Sequence, residues 1–376
     1  KRVWNIPSSY TKYGYAWDSH IVSMEATDKY TFVLKAKPGM LGVVWAMATD
    51  HHRMVPHEMY PEDTAMREWE NTCGTGPFML VDYVPSSALV FERNPNYWGT
   101  DPFFPDNHLP YADGVKRLII PDLSTQMAAL RTGRIDWLSG ITWENAANLQ
   151  KTNPELKYLK WFTGDFTALF YRLDREPYSD VRVRKALAMA IDNKAIAEEL
   201  YGGEAVIMGA PIPPIPEYSD LYVPIEDLEP ETRKMFEYHP DEAKQLLAEA
   251  GYPNGFKTSA ICYAAHPYHV DLLQIVKNYW AQIGVDLDIQ IKEYGVWTSM
   301  GAGVTKTYEH IFACHITTPP AFRFISETPG KTVNYGLIDD PKINEAYAKI
   351  IENWYDWDKQ VEIYRELLPH SQAMHY

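Results

Sequence analysis

The chain has 376 residues, more than one hydrophobic core usually organises, so two or three domains are expected. Hydrophobic residues make up 46% and charged residues 23%, the balance of a folded chain rather than a disordered one. A net charge of −15, with no dense basic run, argues against nucleic acid and against anionic lipid as partners.

In chain order, Tyr30 to Ala36 ("YTFVLKA") alternates as a half-buried strand should. The polar, helix-like "TAMREWEN" then leads to "TCGTGPF", where Gly74 and Gly76 stand one residue apart ahead of Pro77. "FMLVDYVPSSALVFERNP" reads as two strands around the turn Pro85-Ser86-Ser87. The Pro-, Asn- and Asp-rich segment from Asn94 to Gly114 reads as an ordered loop with aromatic anchors. "GVKRLIIPD" predicts a strand, and "LSTQMAALRTGRIDWL" a helix followed by another strand. Ser124 or Thr125 can cap that helix, and Gly133 can end it in the left-handed conformation. A strand-helix-strand order argues for an α/β lobe.

The second half opens with "SDVRVRKALAMAIDNKAIAEELYGG". Val183, Ala186, Leu187, Ala190 and Ile191 follow Asp180 at helical spacing, with Arg182, Arg184 and Lys185 as a solvated face. Asp192 or Asn193 caps a second helix running to Gly202. A Pro-rich extended crossing follows, and then "HPDEAKQLLAEAGY", with Pro240 near the start of a helix and Gly251 just past its end. "VDLLQIVKNYWAQIG" predicts a helix and "VDLDIQIK" an alternating strand. Helices also fit "DPKINEAYAKIIENW" and "DKQVEIYRELL".

The paired glycines raise the question of a phosphate loop. A dinucleotide fingerprint needs a third Gly, a preceding strand and a following helix. Here Pro77 removes a backbone donor and a strand follows, so Gly74, Gly76 and Pro77 read as a tight turn launching that strand. "PGKT" at Pro329 to Thr332 lacks the earlier glycine of a P-loop, where Ile325 stands. His51, His52, His57 and Glu58, like His266 and His269, fall in Pro-containing loops without zinc-protease spacing, so no metal is expected. Cys73, Cys262 and Cys314 match no metal signature, and their spacing leaves a single disulfide open. No nucleophile elbow, reactive-cysteine signature or distinctive carboxylate pair stands out. The residues supply no catalytic constellation, and no cofactor is implied.

Six segments in order carry a resemblance: "GTGPF" before a strand pair, "RNPNYWG", "MAALRTGRIDWL", "SDVRVRKALAMAIDNKAI", "HPDEAKQLLAEAGY" with "NGF" after it, and "AQIGVDLDIQ". Together they resemble the family 5 extracellular solute-binding proteins, the dipeptide- and oligopeptide-binding components of ABC importers, from about Ile21 onward. The resemblance implies an α/β fold of the periplasmic-binding-protein type: two lobes, mixed sheets flanked by helices, and a hinge that closes on ligand. It implies an accessory subdomain over residues 1–72, a first lobe over 73–173 and a second lobe over 174–376. It further implies sections of the family pattern before Lys1 and after Tyr376, and a leader removed from a mature protein.

The implied protein is a monomer outside the cytoplasm, periplasmic or extracellular, with a lipoprotein anchor as one form of attachment. It is not an enzyme, and its partners are a small-molecule or peptide ligand and the permease and ATPase subunits. Peptide-binding members carry a Gly-Trp pair and then an Asp that holds the peptide ammonium. Cys314 and His315 stand at the pair here, and Thr317 and Thr318 near the Asp. A neutral hydroxyl does not supply that charge-assisted bond, so the resemblance implies a ligand held otherwise. Trp143, Trp297, His315, Thr317 and Thr318 are the candidate contacts, although each Trp fits core packing at least as well. Two other readings are a sensory or scaffold use of the same fold, and a hydrolase on an α/β scaffold.

Overall fold

The computed structural model of the chain describes residues 21–36, 69–161, 166–209, 212–263, 269–301, 305–316, 328–330, 333–353 and 356–374. Among these, 69–139 form one compact unit, and 21–36 with 140–374 form another. Strands β1 (Ile21–Ala26) and β2 (Phe32–Ala36) pair as an antiparallel hairpin. Asp28 closes its turn by accepting from the Tyr30 amide at 2.7 Å.

In the 69–139 unit, β3 (Phe78–Val84), β4 (Ala88–Arg93) and β5 (Gly114–Leu118) form an antiparallel sheet in that order. The expected hairpin is present, with Ser86 in the left-handed region at φ 59°. Gly74 and Gly76 have no positive φ, and a Cβ on either would meet nothing within 4 Å. The bend before β3 is instead tied by Asn94, whose side-chain amide donates to Gly76 O at 2.9 Å and whose backbone N–H donates to Pro77 O.

Helix α1 (Leu123–Arg131) begins two to three residues earlier than its expected caps allow. Asp122 is the cap, accepting from the Thr125 amide and hydroxyl at 2.8 and 2.6 Å, while Ser124 and Thr125 lie inside the first turn. Gly133 ends the helix at φ 66° as expected. Residues 134–138 pair with no strand among the described residues, so the predicted strand-helix-strand order is absent from this unit.

The other unit contains helix α2 (Trp143–Thr152), strand β6 (Phe166–Tyr171), helices α3 (Val181–Met189), α4 (Asn193–Glu199) and α5 (Pro240–Glu249), and strand β7 (Lys257–Tyr263). Helix α6 (His269–Gln282), strand β8 (Asp286–Lys292), helix α7 (Tyr294–Gly301), strand β9 (Ile311–Ile316), and helices α8 (Pro341–Glu352) and α9 (Trp357–Met374) follow. The sheet order is β6-β9-β7-β8; β9, β7 and β8 are parallel, and β6 runs antiparallel to β9. Strand β6 falls on the first-lobe side of the expected 173/174 boundary, yet its hydrogen bonds enter this second sheet.

Asp180 and Asp192 cap α3 and α4 as their positions foretell. The apolar stripe of α3 is buried with Trp280, Val285 and Leu287. Trp280 is wholly buried, and its indole N–H donates to Leu187 O at 2.9 Å. Burying a ring of that size contributes about 5 kcal/mol, against about 1 for the hydrogen bond, so burial sets the helix and the bond sets its rotation. Arg184 departs from the solvated face expected for it. It is buried and donates to Tyr178 O at 2.7 Å and to Met374 O at 2.6 Å, tying the end of α9 to the loop before α3.

The parallel pair β7–β8 starts where two glycines meet. Gly255 and Gly284 both have positive φ, and a Cβ on Gly255 would lie 2.0 Å from Gly284 O. Gly251 also has positive φ (96°) but opens onto free space. Gly255→Ala is therefore expected to lower unfolding stability by about 3 kcal/mol or more, and Gly251→Ala by about 1 kcal/mol. Urea denaturation midpoints of the two variants check this; equal losses would refute the close approach as the cause.

Candidate functional site

In open α/β sheets, ligands bind beyond the carboxyl ends of the parallel strands, where backbone and loop groups converge. Here that edge is formed by Tyr263, Lys292 and Ile316, the last residues of β7, β8 and β9. Phe166, the first residue of β6, pairs with Ile316 and extends the edge by one strand.

Behind the edge lies an aromatic cluster. Trp297 is buried, with its ring stacked on Phe312 at 4.6 Å and tilted against Tyr263 at 4.5 Å. Its indole N–H donates to Ala313 O at 3.2 Å, so α7 is pinned to β9 one residue before Cys314. Phe312 also stacks on Tyr335, and Tyr308 packs against Phe312. Tyr294 stacks on Trp297 and meets Tyr263 edge-on, leaving its own ring more than half exposed at the outer side of the cluster.

Glu293 fixes the start of α7. Its carboxylate accepts from the amides of Gly295 and Val296 at 2.8 and 3.2 Å, which holds its pKa below the usual value. At the other end, Lys306 is buried and donates from Nζ to Gly301 O at 2.8 Å, over the Tyr335 ring. Arg172 is buried beside it, bidentate to Asp174 at 2.7 and 2.8 Å, and donates to Tyr308 O at 2.6 Å. Burial, and secondarily the neighbouring Arg172, push the Lys306 ammonium down to about 8.

The candidate contacts fall in different places. Trp297 and the strand carrying His315 are brought together; His315 pairs across the ladder with Thr167. Thr317 and Thr318 lie outside the described residues. Trp143 is anchored elsewhere, with its N–H donating to Leu200 O at 3.0 Å and its ring against Gly202, where a Cβ would meet it at 2.5 Å. Cys314 packs with Trp297 and Phe312, whereas Cys262 packs with Leu273 and Ala313. The two thiols face opposite sides of the sheet, so they do not bridge, and all three cysteines are free. Burial raises the pKa of both inner thiols, which keeps them protonated. Among the described residues no group of three His, Cys, Asp or Glu side chains could hold a metal ion.

Sequence reasoning did not find Tyr263, Tyr294, Phe312, Tyr335 or Lys306. These aromatics are spread over more than seventy positions, and only the order of the strands brings them together. The high Trp and Tyr content was their one general signal.

The family model for bacterial extracellular solute-binding proteins, family 5 Middle, matches residues 1–314. The chain belongs to that family. This family 5 protein is 35% identical over 220 residues to heme-binding protein A of Haemophilus influenzae, covering 56% of this chain and 36% of that one. It shares its fold with AgaA from A. tumefacien R10 in complex with agropinic acid: TM-score 0.76, 21% identity, 99% of this chain and 72% of that one. It is also similar in fold to DppA from Helicobacter pylori in complex with the peptide STSA: TM-score 0.71, 20% identity, 99% and 71% of the two chains. The matched stretch of this family 5 chain spans less than half the length of the curated relatives it matches.

The buried ammonium gives the site's support a pH dependence of known sign. Below pH 8 Lys306 is charged in both folded and unfolded states, and the burial penalty is fully present. Between about pH 8 and 10.5 the folded chain releases the proton first, so stability contributed by this group rises with pH. The stability difference between wild type and Lys306→Met, followed by urea unfolding from pH 7 to 10, is expected to shift toward wild type by about 2 kcal/mol. A difference independent of pH would refute a buried, destabilised charge at this position.

Proposed function

We propose that the chain belongs to a receptor outside the cytoplasm that captures one small solute between two lobes and delivers it to the permease and ATPase of an ABC importer. It acts as a monomer in the periplasm or at the cell surface, held there in its anchored form by a lipid-modified N-terminus, and it does not chemically change its cargo. The observation that supports this reading is the family match together with a parallel sheet whose carboxyl edge is formed by Tyr263, Lys292 and Ile316. The described edge has an aromatic backing, which suits a binding wall.

The cargo follows from chemistry at β9. His315, Thr317 and Thr318 offer a ring and hydroxyls where peptide-binding relatives use a carboxylate, so the ligand is held by neutral hydrogen bonds and aromatic contact. Such a site suits a solute with both hydroxyl or amide groups and apolar faces. The relatives' named ligands, heme, agropinic acid and a peptide, belong to those proteins and differ widely, so the fold leaves cargo to local side chains.

A thermal-shift screen of the full-length mature protein against peptides, oligosaccharides and opine-like solutes tests this. One non-peptide class is expected to stabilise the protein, by roughly 2.7 kcal/mol at a hundredfold excess over Kd, with the solute recovered unchanged. Stabilisation by free-amino peptides alone would overturn the cargo assignment. Recovery of a hydrolysed solute would overturn the receptor reading itself.

A further inference from the structure

The segment 140–161, which carries α2, precedes β6 in the chain, and the turn 200–204 follows α4. The lobe boundary expected at 173/174 puts them in different lobes, yet they meet inside one compact unit. The meeting point has a defined shape. Gly202 has φ 60°, and Gly203 N–H donates to Ala197 O at 2.8 Å, so the chain leaves α4 through a left-handed cap. Leu200 is the residue at the end of that helix, where a carbonyl has no intrahelical donor, and the indole N–H of Trp143 donates to its oxygen at 3.0 Å. The Trp143 ring lies against Gly202, where a Cβ would come within 2.5 Å of Cδ2 and 2.7 Å of Cε2 and Cε3. Gly202 therefore leaves a seat for the ring that any side chain would fill. Beside it, the Lys160 ammonium pairs with the Glu204 carboxylate.

These are edge contacts and not a shared core. No residue of 140–161 is part of the buried clusters around Trp280, around α8 and α9, or around Trp297. On α2 itself only Leu149 is buried. One hydrogen bond, one seated ring and one solvent-exposed ion pair are weak beside a core, and such a contact can part while the elements on either side stay folded. The seat is nonetheless specific, because it matches one ring and one N–H to one carbonyl and one glycine. Weak attachment with specific geometry is what a reversible contact requires.

We propose that Trp143 is a latch. Seated on Leu200 and Gly202, it holds the 140–161 segment against the body that carries the second sheet; unseated, it lets the two part. Its strength then sets the balance between the open and closed receptor. This rests on the receptor reading above, and it assigns Trp143 to closure and not to cargo. A latch of moderate strength fits that role: a stronger one closes the receptor empty, and a weaker one lowers apparent solute affinity in proportion to the closed fraction.

The test measures the distance between spin labels on Lys151→Cys and Glu199→Cys by double electron–electron resonance. It uses the full-length mature protein with Cys73→Ser, since the other two thiols are buried. Without solute, a short and a long distance are expected, the short one matching the seated contact. Trp143→Phe keeps a ring and loses the N–H; it is expected to lower the short-to-long ratio about fivefold with an unchanged melting temperature. Lys160→Glu is expected to lower the ratio about twofold at low salt, and Lys160→Glu/Glu204→Lys to restore it. Peptides, oligosaccharides and opine-like solutes are then added in turn, and one class is expected to gather the labelled parent into the short population. One distance shared by the parent and Trp143→Phe, or a lowered melting temperature in Trp143→Phe, would overturn the latch and leave Trp143 as fixed packing. Populations that respond to Trp143→Phe but to none of these solutes would instead bring down the receptor reading and the latch's role in it.

Discussion

The contact of Trp297 with Phe312 and Ala313 joins α7 to β9, and the carboxyl edge of the second sheet depends on it. The ring stack itself is worth about 1 kcal/mol and the hydrogen bond about the same; the larger contribution is the burial of a Trp side chain. Burial makes the contact strong, and the hydrogen bond to a defined carbonyl fixes its register. Glu293 and Lys306 hold the two ends of α7, one by accepting from its first amides and one by donating to its last residue. Arg172 then carries the chain from β6 to the backbone at Tyr308, so the approach to β9 is fixed from a third side.

This arrangement concentrates rigidity directly behind the place where the strands end. A receptor needs a wall that does not yield when a solute presses against it and loops beyond that wall that can be varied to change cargo. In the proposed receptor the aromatic cluster behind β7, β8 and β9 serves as that wall. The described residues also account for a costly feature, two buried cations with Asp174 as the neighbouring carboxylate, since Lys306 Nζ closes α7 by donating to Gly301 O, which an apolar side chain of that reach could not do. Lowering its pKa is the consequence of putting a charge there.

Much of the fold was legible in the sequence because the relevant signals are local. Asp180 and Asp192 sit ahead of apolar helical stripes, Pro240 and Gly251 bracket a helix, and the alternation from Val285 onward marks a strand. Where the reading missed, a nearby competitor won. Asp122, two residues before Ser124, has a carboxylate that reaches the Thr125 amide, so the cap moved upstream. Arg184 has the charge of a surface residue, but its guanidinium joins the nearby Tyr178 carbonyl to that of Met374 at the far end of the chain, a partner no local pattern reveals. "RIDWL" has strand-like composition without a neighbouring strand to pair with among the described residues. Of the candidate contacts the sequence offers, Trp297 packs in the aromatic cluster against β9 and Trp143 is fixed to the turn at Gly202, while the cluster itself depends wholly on long-range strand order.

In the proposed receptor, solute is held at the carboxyl edge beyond β9. Hydrogen–deuterium exchange on the full-length mature protein, with and without the solute that most raises its melting temperature, reads this contact. Slowed exchange is expected in peptides covering residues 311–318 and in those around Tyr263 and Tyr294. Slowed exchange elsewhere, with these segments unchanged, would place the solute away from this edge.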